Sequence, residues 1–178
     1  MARIPYQPLD LAEPQPLVDA IRKRRGGTLL NLDRILLYSP PLAEGWNGFL
    51  GNVRTRLSLS PKLRELAICI VAKLNHADYE FHHHAPEFLK GGGTQAQLDA
   101  LEDLASAARA TVFDATERAV IALTIETTRE VRVRDETFAA ARDALGNDRL
   151  LVELVGAIAS YNMVSRVLVA FDVQPEGH

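Results

Sequence analysis

The sequence predicts an all-α fold in a single-domain helical bundle. Apolar residues recur at three- and four-residue spacing through most of the chain, and helix start and stop signals bracket those stretches. No strand-like alternation lasts beyond a few residues; VRVRDE, at Val131, is too short and too charged to count as one. With 178 residues, 47% of them apolar, and no break in composition, the chain can build one sizeable core.

The elements follow in order. Residues 1–28 read as an N-terminal arm and short helix, 29–173 as the helical domain and 174–178 as a tail. Pro5, Pro8, Pro14 and Pro16 each fix a backbone angle and remove a donor, so Met1 to Pro16 should be an extended arm lying on the body. Leu17 to Arg25 fits a short helix whose last turn, Arg22, Lys23, Arg24 and Arg25, suits a helix C-terminus before Gly26 and Gly27 stop it. That cluster reads as a charged cap; the other reading is a clamp for an anionic substrate or a neighbouring subunit's acidic face. Leu29, Leu32, Ile35 and Leu36 keep helical spacing until Ser39, Pro40 and Pro41 end it. Leu42, Trp46, Phe49, Leu50 and Val53 then mark one face of a helix around Pro41 to Arg56.

Ser60 is a good N-cap and Pro61 suits the first helical position, so a helix should run to about Leu74 with Leu63, Leu66, Ala67, Ile70, Val71 and Leu74 buried and Glu65 beside them. Asn75 and His76 break the run. A second helix should carry Ala77 to about Lys90, kinked at Pro86 and stopped by Gly91 to Gly93. Thr94 with Gln97 makes a capping box for a helix to about Ala107, and Asp114 with Glu117 repeats it for one to about Glu130. Asp135 opens another, ending near Gly146. The last helix, about Asp148 to Phe171, is the most apolar; Leu151, Leu154, Val155, Ile158, Ala159, Val164, Leu168 and Phe171 wrap much of its circumference, which suggests packing on more than one side.

Charge and cysteine content narrow the function. A net charge of -3 points to neither nucleic acid nor an anionic membrane surface as a partner. The single cysteine, Cys69, cannot pair within the chain, and MARIPYQPLD lacks the basic-then-apolar order of a secretion signal, so a cytoplasmic protein is expected. No apolar run is uninterrupted for the roughly 18 residues a membrane helix needs, because Glu153, Ser160, Asn162 and Arg166 break the last one. A buried helix is expected there.

The chemistry concentrates in SPKLRELAICIVAKLNHADYEFHHHAPEFLKGGG, Ser60 to Gly93. On a helix, His76, Glu80 and His84 share one stripe, Asp78 and His82 a second, Tyr79 and His83 a third. Glu65 on the preceding helix is the natural partner for the stripe that faces inward. Two carboxylates and an imidazole converging between packed helices are the minimum for proton shuttling near neutral pH. His82 and His83 read as ordinary helix residues. Cys69 reads as buried filler, with no second thiol to resolve an oxidised one.

Glu65, then Tyr79-Glu80-Phe81, then His84-Ala85-Pro86 before a glycine-ended helix resembles the carboxymuconolactone decarboxylase family, also called alkylhydroperoxidase D-like. The family's hallmark looks like YEW-x-x-H-A; here it reads YEFHHHAP, with Phe81 in place of the tryptophan. LVGAIASYNMVSRVLVAFDV is similar to the family's closing helix. The resemblance, over about Leu29 to Val173, implies an all-helical oligomer, a trimer or hexamer. The peroxidase branch carries a CxxC dithiol where this chain has Ala77 and Glu80, so thiol-dependent peroxide reduction is not expected. The decarboxylase branch has glutamate at the Glu80 position, which implies cofactor-free loss of carbon dioxide from a carboxylated lactone or related acid. His84 would then move a proton, Glu80 would orient or assist it, and Glu65 would complete the relay. Tyr79, Phe81, His83, Trp46 and Arg64 are the candidate substrate-binding residues, with Arg54 and Arg56 as further possible clamps. A small-molecule substrate and self-association are the partners implied.

Other readings stay open. His76, Glu80 and His84, with Glu65, could supply a two-histidine, carboxylate set for iron, zinc or manganese. A thiol-independent alkylhydroperoxidase-like protein is another alternative. A non-catalytic oligomeric binding protein is a further one, and it expects Glu65, Glu80 and His84 to lie apart, or to make structural hydrogen bonds only with no adjoining cavity.

Overall fold

The computed structural model describes residues 2–177, and among these all regular structure is α-helical. The ten helices are α1 (Gln15–Arg25), α2 (Asn31–Leu36), α3 (Pro40–Thr55), α4 (Pro61–Leu74), α5 (Asp78–Lys90), α6 (Gln95–Ala100), α7 (Leu104–Ala107), α8 (Ala115–Glu130), α9 (Asp135–Leu145) and α10 (Asp148–Phe171). They divide into two compact units: one of residues 1–56 with 170–178, the other of residues 57–169.

The first unit is built on α1, α2 and α3, with α3 packed against both of the others. Pro14 caps α1, and Gly26 ends it with φ 83°, a left-handed angle that costs a glycine nothing. The basic cluster is largely used internally. Arg25 makes two 3.0 Å bonds to Asp33, which is 2% exposed; Arg24 lies 3.6 Å from the same carboxylate and bonds Asn47; Arg22 donates to the Leu9 carbonyl at 2.9 Å. A buried aspartate needs such partners, and these contacts engage Arg22, Arg24 and Arg25 within the unit. The arm and the tail are pinned within this unit: Arg3 N–H donates to the Phe171 carbonyl, Gln174 N–H to the Tyr6 hydroxyl and Asn31 N–H to Glu176. On α3, Ala43, Trp46, Leu50 and Val53 are buried. Leu42 and Phe49, expected on that face, are about half exposed, because the buried stripe centres on Trp46 and leaves them at its flanks.

The second unit is organised around α4, which packs on α5 and α8, while α8 packs on α9. Ser60 Oγ accepts from Leu63 N–H, and Pro61 starts the helix as its fixed angle favours. Every residue from Glu65 to Ala72 is buried, so α4 is enclosed around its whole circumference rather than along one stripe. Enclosure places Glu65 in the interior instead of beside a buried face.

His76 adopts a left-handed angle, φ 53°, between α4 and α5, and α5 then runs through Pro86 to Lys90. At its end the Gly93 N–H bonds the Phe88 carbonyl and the Gly92 N–H bonds that of Leu89, with Gly92 at φ 100°; this satisfies the last carbonyls. The expected helix from Thr94 to Ala107 is two. Its capping box forms, but α6 ends at Ala100, and Asp103 accepts from Ala105 N–H to start α7 afresh. Asp114 and Glu117 cap α8 reciprocally at 2.8 and 2.9 Å, and Gly146 ends α9 at φ 77°.

Length and composition alone would let the 24-residue α10 span a membrane. Its Leu151, Leu154, Ala157, Ile158, Tyr161, Val164, Ser165 and Leu168 are buried in the protein. Ala159, expected among the buried residues, is exposed, as are Val152, Met163 and Val169. Among the described residues the two ends of α10 remain as predicted, at Asp148 and Phe171.

Candidate active site

The site lies in the second unit, where α4, α5 and α10 each contribute. From α4, Glu65 is 3% exposed; from α5, Glu80 and His84 are 2% and 5% exposed. Glu80, His84 and Phe88 follow one another at four-residue spacing on the buried face of α5, as helical geometry requires. Burying two carboxylates in a core of Ile68, Cys69, Ile70 and Leu154 is costly unless each finds a partner or gives up its charge.

The two carboxylates resolve this differently. Glu65 Oε2 lies 2.6 Å from His84 Nδ1, and Arg64 Nε donates to Oε1 at 3.1 Å. Burial raises the Glu65 pKa, but the hydrogen bond and charge of His84, followed by Arg64, outweigh it and hold the carboxyl below its usual range. Glu65 is therefore the ionised member. The His84 ring also meets Tyr161 of α10 edge-on, centroids 4.8 Å apart, which fixes its tilt.

Glu80 points elsewhere. Ser165 Oγ of α10 lies 3.0 Å from Oε1, and Oε2 has no hydrogen-bond partner. Burial pushes its carboxyl well above the ordinary range, only partly offset by the Ser165 hydrogen bond, so the neutral acid is favoured. Expected to orient His84, Glu80 instead faces Ser165; Glu65 holds the imidazole. Packing decides this: Ser165 of α10 meets the Glu80 carboxyl, while Glu65 on the facing helix reaches His84 Nδ1.

Cys69 is one turn from Glu65 and fully buried. Burial pushes its thiol far up, and the charge of Glu65 pushes the same way, so it stays protonated and poorly nucleophilic.

Of the other expected site residues, Arg64, Tyr79, Phe81 and His83 belong to the second unit and Trp46 to the first. Tyr79 is buried with its ring 4.5 Å from that of His83; Phe81 is half-buried, with the Lys73 ammonium 4.2 Å from its ring centre. Arg64 is engaged with Glu65. Trp46 is buried on α3, in the first unit. The three residues of the metal alternative are not aligned on one helix. His76 is exposed in the turn before α5, off the helical stripe that would have aligned it with Glu80 and His84, and no three His, Cys, Asp or Glu side chains among the described residues are placed to hold a metal ion.

Two residues escaped the sequence reading. Tyr161 and Ser165 lie one turn apart on an apolar helix, where serine and tyrosine look like fillers. Their signal was weak: two polar groups on the same turn-spaced stripe as Ile158 and Leu168.

Comparison with known proteins agrees on fold and family. Residues 40–126 match the sequence profile of the carboxymuconolactone decarboxylase family. An uncharacterized peroxidase-related protein from Silicibacter sp. TM1040 superposes with TM-score 0.80 at 18% identity, covering 98% of this chain and 91% of that one. The alkylhydroperoxidase AhpD core of an uncharacterized peroxidase-related protein from Ralstonia eutropha JMP134 gives 0.82 at 15% identity, with 99% and 93% covered. The debrominase Bmp8, solved in complex with 2,3,4-tribromopyrrole, gives 0.79 at 17% identity, with 99% and 95% covered. At these identities the likeness is one of fold. No curated protein matches the sequence.

Proposed function

Since residues 40–126 belong to the carboxymuconolactone decarboxylase family, we propose that this protein is a small-molecule enzyme that uses cofactor-free acid–base chemistry to remove carbon dioxide from a carboxylated lactone or related acid. The observation that carries the proposal is the buried 2.6 Å contact between Glu65 and His84. An ionised carboxylate fixes the imidazole's tautomer and supports its charged form, which is what a proton donor to carbon requires. Glu80, held neutral nearby, supplies a second group of opposite protonation state, and such a split is the usual mark of acid and base roles.

In this reading the substrate's carbon–carbon bond to the carboxylate breaks and carbon dioxide leaves. The electron pair stays behind as an enolate, and His84 delivers a proton to the carbon. Nδ1 is engaged by Glu65, so delivery passes through Nε2; the ring regains its proton from water. A peroxidase route finds less support, because reducing a peroxide needs two electrons and the single cysteine is buried with its thiol held protonated.

The test is carbon dioxide release from a panel of carboxylated lactones and β-keto acids. His84→Ala is expected to lower turnover at least ~100-fold, the ordinary contribution of a proton-transfer group, with helicity unchanged. Turnover within a few-fold of the parent would remove His84 from the mechanism and the proposal with it.

A further inference from the structure

Ser165 has one hydroxyl hydrogen and two acceptors within reach. Its Oγ lies 3.0 Å from Glu80 Oε1 and 2.9 Å from the carbonyl oxygen of Tyr161, one turn back along α10. With Glu80 ionised, the carboxylate and the carbonyl compete for that hydrogen, and Oε2 is a buried charged oxygen without a donor. With Glu80 protonated on Oε1, the competition disappears. The acid donates to Ser165 Oγ, Ser165 donates to the Tyr161 carbonyl, and Oε2 is left as a neutral carbonyl oxygen, far cheaper to bury bare.

Rotation about the Cβ–Oγ bond serves the other state. When Glu80 gives up its proton to the reacting site or to water, the serine hydrogen turns from the Tyr161 carbonyl to Oε1 and stabilises the carboxylate so formed. Ser165 is fully buried, so no water competes for the bond.

From this geometry we infer that Ser165 is a positioning residue whose rotating hydroxyl serves both protonation states of Glu80, letting an enclosed carboxyl be stored as the acid and still ionise. The inference deepens the acid–base reading and takes its purpose from it, but its test needs no substrate. On the elements that pack about Glu80, Ser165 of α10 bonds its carboxyl, His84 stands one turn along α5, and Cys69 of α4 is coupled to both Glu65 and Glu80. Burial sets its titration first and the Ser165 bond second, in the opposite direction.

The experiment is an infrared pH titration of the carbonyl band of the protonated carboxyl, assigned to Glu80 by its disappearance in Glu80→Gln. The parent protein is expected to keep the band above the usual glutamate range of about 4.3. Ser165→Ala is expected to move the midpoint upward by ~1 pH unit or more, because the carboxylate loses its donor. Ser165→Cys, close in size with a weaker donor, is expected to fall between, and it carries the comparison if the alanine variant does not fold. An unmoved or lowered midpoint in the folded variant, or no Glu80-dependent band above about pH 6 in the parent, overturns the inference. Either result leaves carbon dioxide release, and its dependence on His84, to be judged separately.

Discussion

Glu65 and Glu80 have the same side chain, yet their surroundings drive them to opposite protonation states. Glu65 is ionised because His84 and Arg64 outweigh its burial; Glu80 is neutral because only a serine hydroxyl opposes its burial. The consequences for stability have opposite signs. Glu65's folded pKa is depressed, so its contribution is present above the unfolded value and is lost as pH falls through the folded one. Glu80's folded pKa is raised: above about 4.3 the unfolded chain has released a proton that the native state retains, so stability declines as pH climbs towards the folded value. Glu80→Gln, which cannot ionise, is expected to flatten the fall in melting temperature as pH rises above about 4.3. Equal slopes in parent and variant would show that Glu80 is not neutral in the native state. Glu65→Gln should cost about 2 kcal/mol at neutral pH, measured by urea unfolding, because His84 loses a charge-assisted bond in the interior.

At the scale of the element, α4 and α5 derive their precision from their ends. Ser60 and Pro61 start α4 at a defined residue, and the glycines close α5, so the offset that sets Glu65 against His84 is locked by caps as much as by core contacts. Gly93 is the most constrained of these: a Cβ there would overlap the ring of Phe88, itself fully buried. Gly93→Ala is expected to lose about 1–3 kcal/mol through overpacking, and Ser60→Ala about 1 kcal/mol through the lost cap. Chemical denaturation of both would show it. A Gly93→Ala protein as stable as its parent would mean that the ring can move aside. These ends were legible because capping is local chemistry: a serine before a proline, or a glycine run, acts through its immediate neighbours. The break between α6 and α7 was missed for the same reason in reverse, since Asp103 begins a new turn inside a stretch whose apolar spacing continues.

On the scale of the whole molecule, two compact units are present, and the three ionisable side chains proposed for catalysis all belong to the second. We also propose that copies of the 19.6 kDa chain assemble as the trimer or hexamer that the family resemblance implies. Sedimentation velocity at micromolar concentration is expected to give three or six times the chain mass; a single monomeric species would reject it.

The sequence by itself determined the helical class, most helix ends and the identity of Glu65, Glu80 and His84 as the residues to watch, because periodicity and capping are written in near neighbours. Only the tertiary structure decided which acid meets the imidazole, that His76 stands outside the stripe, and that Ser165 and Tyr161 complete the surroundings. Those outcomes depend on how three helices are offset and turned against one another. Ser165 stands 85 residues from Glu80 along the chain, a separation across which local propensity carries no information.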